Sequence, residues 1–397
     1  MRDRTRLWDR LEKSHYSTFA GQASLRRFTA PGRTELGGNH TDHNQGKVLA
    51  AAIHLEASAV AEPCDGPLEV FSEGWKDPFV VALGDLNPQP KDAGTSTALI
   101  RGVASEFVRR GYRVGGFRAT IESSVLSGSG LSSSAAFEIL VGVILSTLYN
   151  DGKVPLVEVA KIGQAAENLH FGKPCGLMDQ MSSALGGVVA IDFRRQQTPE
   201  YRQVEADFAA EGWALFIVNT GGSHADLTPD YAAVPAEMRQ VAKHFGHGAL
   251  REVSEQSFYD ELPVLFRTMN HRALLRAIHF FEENHRVDAM VQALEEGRIR
   301  TYLDWVNASG RSSAEFLQNT WSPRFDQDQG LNLGLALTER FLAGEGACRV
   351  HGGGFAGTIQ AYVPLNRRRE YVTTMEAVFG AGTVVELNIR PEPAGEV

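Results

Sequence analysis

The chain has 397 residues, of which 43% are hydrophobic and 22% charged, with 40 glycines, three cysteines and a formal net charge of −9. This composition excludes a disordered chain, a coiled coil and a collagen-like repeat, and its length predicts two to three domains of about 150 residues each. An acidic surface repels phosphate backbones, so no nucleic acid partner is expected; Cys64, Cys175 and Cys348 cannot make a disulfide framework, and neither a signal peptide nor a membrane span is legible, so a soluble cytoplasmic enzyme of mixed α/β type is expected.

The charged segment to about residue 25 reads as helix plus loop. Residues 47–62 are apolar with β-branched residues interleaved and read as strand. A turn at Pro63–Pro67 follows, and LEVFSEG then alternates as a half-buried strand does. Apolar spacing predicts a helix over 96–111, closed by a glycine, and FRATIESSV reads as another strand. Residues 131–149 carry the longest apolar helical pattern. It opens on serines, is apolar almost all round and should be buried. A second helix is predicted over about 155–171. GGVVAIDF and ALFIVNT read as buried strands, and the polar stretch between them as the junction of two domains, 1–200 and 201–397. Helical runs follow near 235–246, 261–282, 286–296 and 329–344, then a glycine-rich turn and the strand TIQAYVP. Strands and helices without strict alternation indicate α+β halves and not a Rossmann sheet.

Four segments carry chemistry. SGSGLSSSAA, Ser127 to Ala136, lacks the bulky side chains that would block close approach, so its N–H groups can turn around an anion at a helix N-terminus. It is neither a Walker loop nor a dinucleotide fingerprint; the alternative is a plain loop capped by serine. PGRTELGGNHTDHNQG, Pro31 to Gly46, packs Arg33, Glu35, Asn39, His40, Asp42 and His43 between glycines. Such groups suit adjacent sugar hydroxyls. A metal held by His40, Asp42 and His43 is the competing reading, but their spacing does not converge on one face. In PCGLMDQ, Asp179 is a base toward a bound hydroxyl or else a helix cap. Glu167, twelve residues upstream, could hold Mg²⁺ together with a serine. RVHGGGFAGT, Arg349 to Thr358, is either a tight hairpin or a second backbone cradle.

Together these segments resemble the galactokinases, within the wider group of small-molecule kinases that includes homoserine, mevalonate and phosphomevalonate kinases. The resemblance implies the two-domain GHMP kinase fold of class α+β, with a ribosomal protein S5 domain 2-like N-terminal half and a ferredoxin-like C-terminal half. It implies transfer of the ATP γ-phosphate to the anomeric hydroxyl of galactose. Asp179 would be the base and Arg33 would stabilise charge. Asn39, His40, Thr41, Asp42, Gly176 and Tyr231 would hold the sugar. Gly128, Ser129, Gly130, Leu131, Ser132, Ser133 and Ser134 would cradle the ATP phosphates, and Ser134 with Glu167 would hold Mg²⁺. The expected partners are therefore a sugar and ATP, with a monomer expected and a dimer as the alternative.

The chain departs from the galactokinase pattern at several positions. Asn39 stands where the pattern has a glutamate facing C6 of the sugar, Glu35 where it has asparagine, and His43 where it has tyrosine. Ser223, before His224, replaces an arginine; Thr358 replaces a cysteine and Ala356 a glycine, and Tyr231 is followed by Ala-Ala-Val-Pro where basic residues are the rule. An asparagine at position 39 would remove the repulsion of a carboxylate at C6, so a galacturonate 1-kinase is one alternative reading; a non-catalytic sensor of galactose and ATP is another. The three cysteines are expected to be core or loop residues with no role; the alternative, for Cys175 beside the expected base, is sensitivity of the enzyme to alkylation.

Overall fold

The computed structural model describes residues 4–19, 24–126, 128, 130–222 and 227–397. Helix α1 (Arg4–Thr18) leads into strand β1 (Arg26–Gly37), which pairs along its length with β2 (Lys47–Cys64) in a long antiparallel hairpin. The strand signal over 47–62 reappears as β2. No strand is predicted over 26–37, because its polar residues mask it: Arg33, Thr34 and Glu35 are all buried. β1 breaks register between Pro31 and Arg33 and again between Glu35 and Gly37. Such bulges accommodate a proline, which has no N–H for the ladder, and re-aim the side chains that follow.

The first half continues with β3 (Leu68–Ser72), β4 (Phe79–Val81), α2 (Ser96–Arg109), β5 (Gly116–Ser123), α3 (Ser133–Tyr149), α4 (Leu156–Ala166), α5 (Met178–Leu185), β6 (Val188–Asp192) and β7 (Glu200–Val204). β2 is long enough to serve two neighbours on one edge. Residues 47–51 pair with β6, and residues 57–64 pair with β5. The predicted helix over 155–171 is α4 plus one π-turn, Glu167–Phe171, which offsets Glu167 from the regular helix. The predicted 131–149 helix begins at Ser133. Its N-cap, Ser132, makes no capping hydrogen bond and has φ +59°.

The second half contains β8 (Trp213–Asn219), α6 (Thr228–His244), α7 (Glu255–Thr268), α8 (His271–Glu295), α9 (Ile299–Ser312), α10 (Gly330–Leu342), β9 (Ala347–Val350), β10 (Thr358–Pro364), α11 (Arg368–Phe379), β11 (Val384–Leu387) and β12 (Gly395–Glu396). Its own sheet runs β11-β8-β10-β9. The helix expected near 235–246 starts earlier, at Thr228, and carries Pro235 inside. The break expected near residues 283–285 falls instead at Met269 and Asn270. There the Asn270 side chain caps α8 by accepting from the Arg272 N–H.

The first sheet follows β12-β1-β2-β5-β3-β4, with β6 and β7 branching from β2. β7 spans residue 200 and pairs with β6, so the first sheet runs past the sequence-based junction. The last strand also returns to it: Gly395 pairs with Thr29 and Glu396 with Phe28. One apolar core joins both halves, holding Ile139 and Leu140 of α3 together with Met290 of α8 and Tyr302 of α9. α3 is buried on nearly every side, as its sequence demands.

Candidate active site

Three chain segments meet where α3 and α5 begin. β1 brings Arg33, whose N–H donates to the Leu131 carbonyl at 3.1 Å. The loop before α3 can approach this closely because Gly32 is small: a Cβ there would lie 2.9 Å from the Leu131 oxygen. Arg33 then spans the site. Its Nε donates to Asp179 Oδ1 at 2.7 Å, and its Nη1 donates to the Gly130 carbonyl. The Ser132 hydroxyl, unused as a cap, donates to Asp179 Oδ2. Both oxygens of the carboxylate are therefore held, while 29% of the side chain stays exposed. Burial pushes the Asp179 carboxyl up, but the charge and hydrogen bond of Arg33, the Ser132 bond and the charge of Lys173 outweigh it and hold it below the usual carboxylate range.

Beside this pair, Ser134 Oγ donates to Glu167 Oε1 at 3.1 Å. The Gln180 amide, fully buried, donates to Glu167 Oε2 at 2.9 Å and to Glu138 Oε2 at 3.0 Å. Burial and the neighbouring Glu167 push the Glu138 carboxyl well above its usual range. Burial and then the carboxylates of Glu167, Glu138 and Asp179 push the Cys175 thiol up, which disfavours its thiolate.

The turn between β1 and β2 carries the second cluster. Gly176 lies so close to Asp42 that a Cβ there would fall 1.7 Å from Asp42 Oδ2. His40 has φ +58°; its Nε2–H donates to the Gly353 carbonyl at 2.9 Å, and its Nδ1 has no partner among the described residues. Burial, then the neighbouring His43, lowers His40 to about 3, so the ring is neutral. Asn39 and Thr41, expected on the sugar, have their polar atoms engaged inside the protein. The Asn39 amide donates to Glu35 Oε1 at 3.0 Å and to the Gly352 carbonyl at 2.7 Å, and its oxygen accepts from Asn319 at 2.8 Å and Ser313 at 3.2 Å. The Thr41 hydroxyl closes the turn on the carbonyls of Gly38, 2.9 Å, and Lys47, 2.6 Å.

The C-terminal glycine turn is both a hairpin and a neighbour of these clusters. It joins β9 to β10, and Tyr231 Oη donates to its Gly354 carbonyl at 2.8 Å. His351, buried and kept neutral by desolvation and then by the charges of Arg33 and Arg349, accepts from Thr34 at 3.0 Å through Nε2 and donates to Thr358 at 3.2 Å through Nδ1. A Cβ on Gly130 would sit 3.1 Å from that Nδ1. The turn therefore touches the loop before α3 directly. Gly128 is exposed with φ +73°, Leu131 is buried in the core, and Ser133 starts α3. Ser127, Ser129, Ser223 and His224 lie outside the described residues.

Sequence reasoning missed Gln180, Asn319 and Arg349. The Arg349 guanidinium donates to Glu35 across the two halves, and both side chains are buried. None of the three stands in a recognisable spacing with its partner. The adjacency of Gln180 to Asp179 in MDQ is the one signal available.

Two family models match the chain. Residues 98–187 fit the GHMP kinases N terminal domain, and residues 13–63 fit the galactokinase galactose-binding signature. Over 93% of this chain, the mevalonate kinase of Methanococcus jannaschii superposes with a TM-score of 0.64 at 14% identity, covering 99% of that protein. The fold is that of the GHMP kinases, an α+β arrangement with two sheets. A galactokinase of Lactococcus lactis, solved with galactose, matches with a TM-score of 0.84 at 23% identity, covering 98% of this chain and all of that one. A galactokinase of Glaesserella parasuis serovar 5 (strain SH0165) is 32% identical over 359 residues, 89% of each chain. This chain belongs to the galactokinase family, and it is an ATP-dependent sugar kinase. No helix among the described residues is long and apolar enough to cross a membrane.

Proposed function

We propose that the chain transfers the γ-phosphoryl group of ATP to the anomeric hydroxyl of galactose, giving galactose 1-phosphate. The observation that carries this reading is Asp179, held on both oxygens by Arg33 and Ser132 beside the contact of Gly176 with Asp42. The ionised carboxylate accepts the proton of the anomeric hydroxyl as that oxygen bonds to phosphorus and the bond to the leaving ADP breaks. An acceptor of low basicity takes the proton late. That suits a loose transition state, in which the attacking oxygen gains little bonding early. Arg33 offsets the charge spread over the transferring group and orients the base.

Gly128 and residues 130–134 cradle the phosphates at the N-terminus of α3. His40, Asp42, Gly176 and Tyr231 surround the sugar, with Asn39 and Thr41 shaping the turn that presents it. The donors Ser134 and Glu167 are both oxygens, 3.1 Å apart, and suit Mg²⁺. When bound, magnesium would neutralise phosphate charge. A cytoplasmic monomer is the assembly that fits this reading.

Neither alternative is favoured. Asn39 is fully buried with its amide committed, which leaves no donor for a uronate. The base, the arginine and the described loop serines are all in place, which argues against a sensor. The test is ADP release with MgATP on galactose, galacturonate, glucose, glucuronate and N-acetylgalactosamine. Turnover on galactose is expected, falling about a thousandfold in Asp179→Asn. Turnover confined to a uronate, or none with galactose still raising the Tm, would overturn the reading.

A further inference from the structure

Lys173 is a basic residue of the site that the sequence reading leaves unused. It follows the π-turn that carries Glu167, and its backbone is fixed there. Gly172 takes a left-handed conformation, φ +84°, and the N–H groups of Gly172 and Lys173 both donate to the Glu167 carbonyl, at 3.0 and 3.2 Å. Pro174 then restricts Lys173 to extended backbone. The side chain reaches back so that Nζ lies 3.4 Å from Glu167 Oε1, the oxygen that also accepts from Ser134. The partner of the other oxygen, Gln180, is fully buried, whereas the Lys173 side chain is 65% exposed and opens toward solvent.

The charges around this point balance. Arg33 and Lys173 face Asp179 and Glu167, while Arg33 is already committed to Asp179 and the Gly130 carbonyl. A triphosphate remains anionic after binding one divalent cation, and its transition state spreads charge over the transferred oxygens. Lys173 and a divalent cation would also compete for the same carboxylate oxygen, so one must give way. A lysine on a flexible stem suits that exchange, because its ammonium works as a point charge on phosphate.

We propose that Lys173 is a phosphate-binding residue that changes partners: it pairs with Glu167 in the free enzyme and turns to the terminal phosphate oxygens when the metal–nucleotide complex takes that carboxylate. This deepens the kinase reading of the site and rests on it. Two variants, Lys173→Met and Lys173→Arg, are compared with the parent enzyme. The readouts are steady-state kinetics in ATP and in galactose, calorimetric ATP affinity with and without Mg²⁺, and Mn²⁺ binding in the presence of ADP followed by electron paramagnetic resonance.

In Lys173→Met, kcat/KM for ATP and the metal-free affinity for ATP should each fall about tenfold. The galactose KM and the Tm should not move, and Mn²⁺ should bind more tightly because its competitor is gone. Lys173→Arg should keep most of the nucleotide affinity. Unchanged ATP affinity in Lys173→Met, or equal losses toward ATP and galactose, would overturn the proposal and leave Lys173 a surface ion pair. A parent enzyme inactive on galactose whose metal-free ATP affinity still depends on Lys173 would overturn the galactose reading alone.

Discussion

The protonation states of a few side chains govern this site. Asp179 sits below the usual carboxylate range because, against the cost of burial, Arg33, Ser132 and Lys173 all favour its charged form. The sign follows. A carboxyl whose folded value lies below its unfolded one gives its stabilisation above the ordinary range and loses it as pH falls through the folded value. The proposed base is therefore ionised across the whole working range. His40 and His351 are neutral there, since burial lowers His40 to about 3 and His351 well below its ordinary value. We predict that kcat is flat from about pH 8 to about pH 5, with an acid limb only in the carboxylate range. An acid limb centred near pH 6.5, measured at saturating substrates, would contradict this assignment of the base.

Close approaches between elements decide whether the site forms at all. Gly176 precedes α5 and touches the Asp42 carboxylate of the β1–β2 turn, where a Cβ would overlap Oδ2. Gly176→Ala must push the two segments apart. We predict a rise in galactose KM of tenfold or more with a smaller change in ATP KM, since the loop before α3 is not involved. Circular dichroism should remain that of the parent. Equal KM values for galactose in the two proteins would show that Asp42 does not need this contact. The sequence displays Gly176 plainly in PCGLMDQ, yet its neighbour lies 134 residues earlier in the chain, counting from Asp42 to Gly176. No spacing rule reaches that far. The π-turn at Glu167 is equally hidden, because the apolar period of α4 runs into it without a break.

Across the whole molecule, the two halves are joined by buried polar pairs as well as by a shared core. Arg349 on β9 donates to Glu35 on β1, and Gln360 on β10 donates to Thr34 Oγ1 at 2.8 Å and to the Glu35 carbonyl at 2.9 Å. Removing one partner of a buried ion pair leaves an uncompensated charge. Arg349→Met should therefore cost about 3–5 kcal/mol. Glu35→Gln in the same chain should recover most of that, because the amide oxygen still accepts from Asn39 and no lone charge remains. Chemical denaturation of the single and double variants checks this, and additive losses would refute it. The C-terminal return also acts at this scale. Arg390, buried, donates to Thr29 at 2.8 Å and pairs with Glu56, tying the last residues to the first sheet.

Local structure was legible without coordinates. Small residues ahead of an apolar run mark the loop that opens α3, glycine-flanked polar residues mark the turn between β1 and β2, and β-branched apolar runs specify β2 and β8. These depend on neighbours within a few residues, so the chain order carries them. Four matters waited for the tertiary structure: that β1 is a buried strand despite its polar residues, that Asn39 turns inward, that Ser132 serves Asp179 instead of capping α3, and that Lys173 shares an oxygen with Ser134. Each depends on a partner distant in sequence, or on a turn whose geometry only packing sets. Burial in turn changes what a side chain does, since it makes an unpaired polar group costly and so commits it to whatever partner the fold supplies.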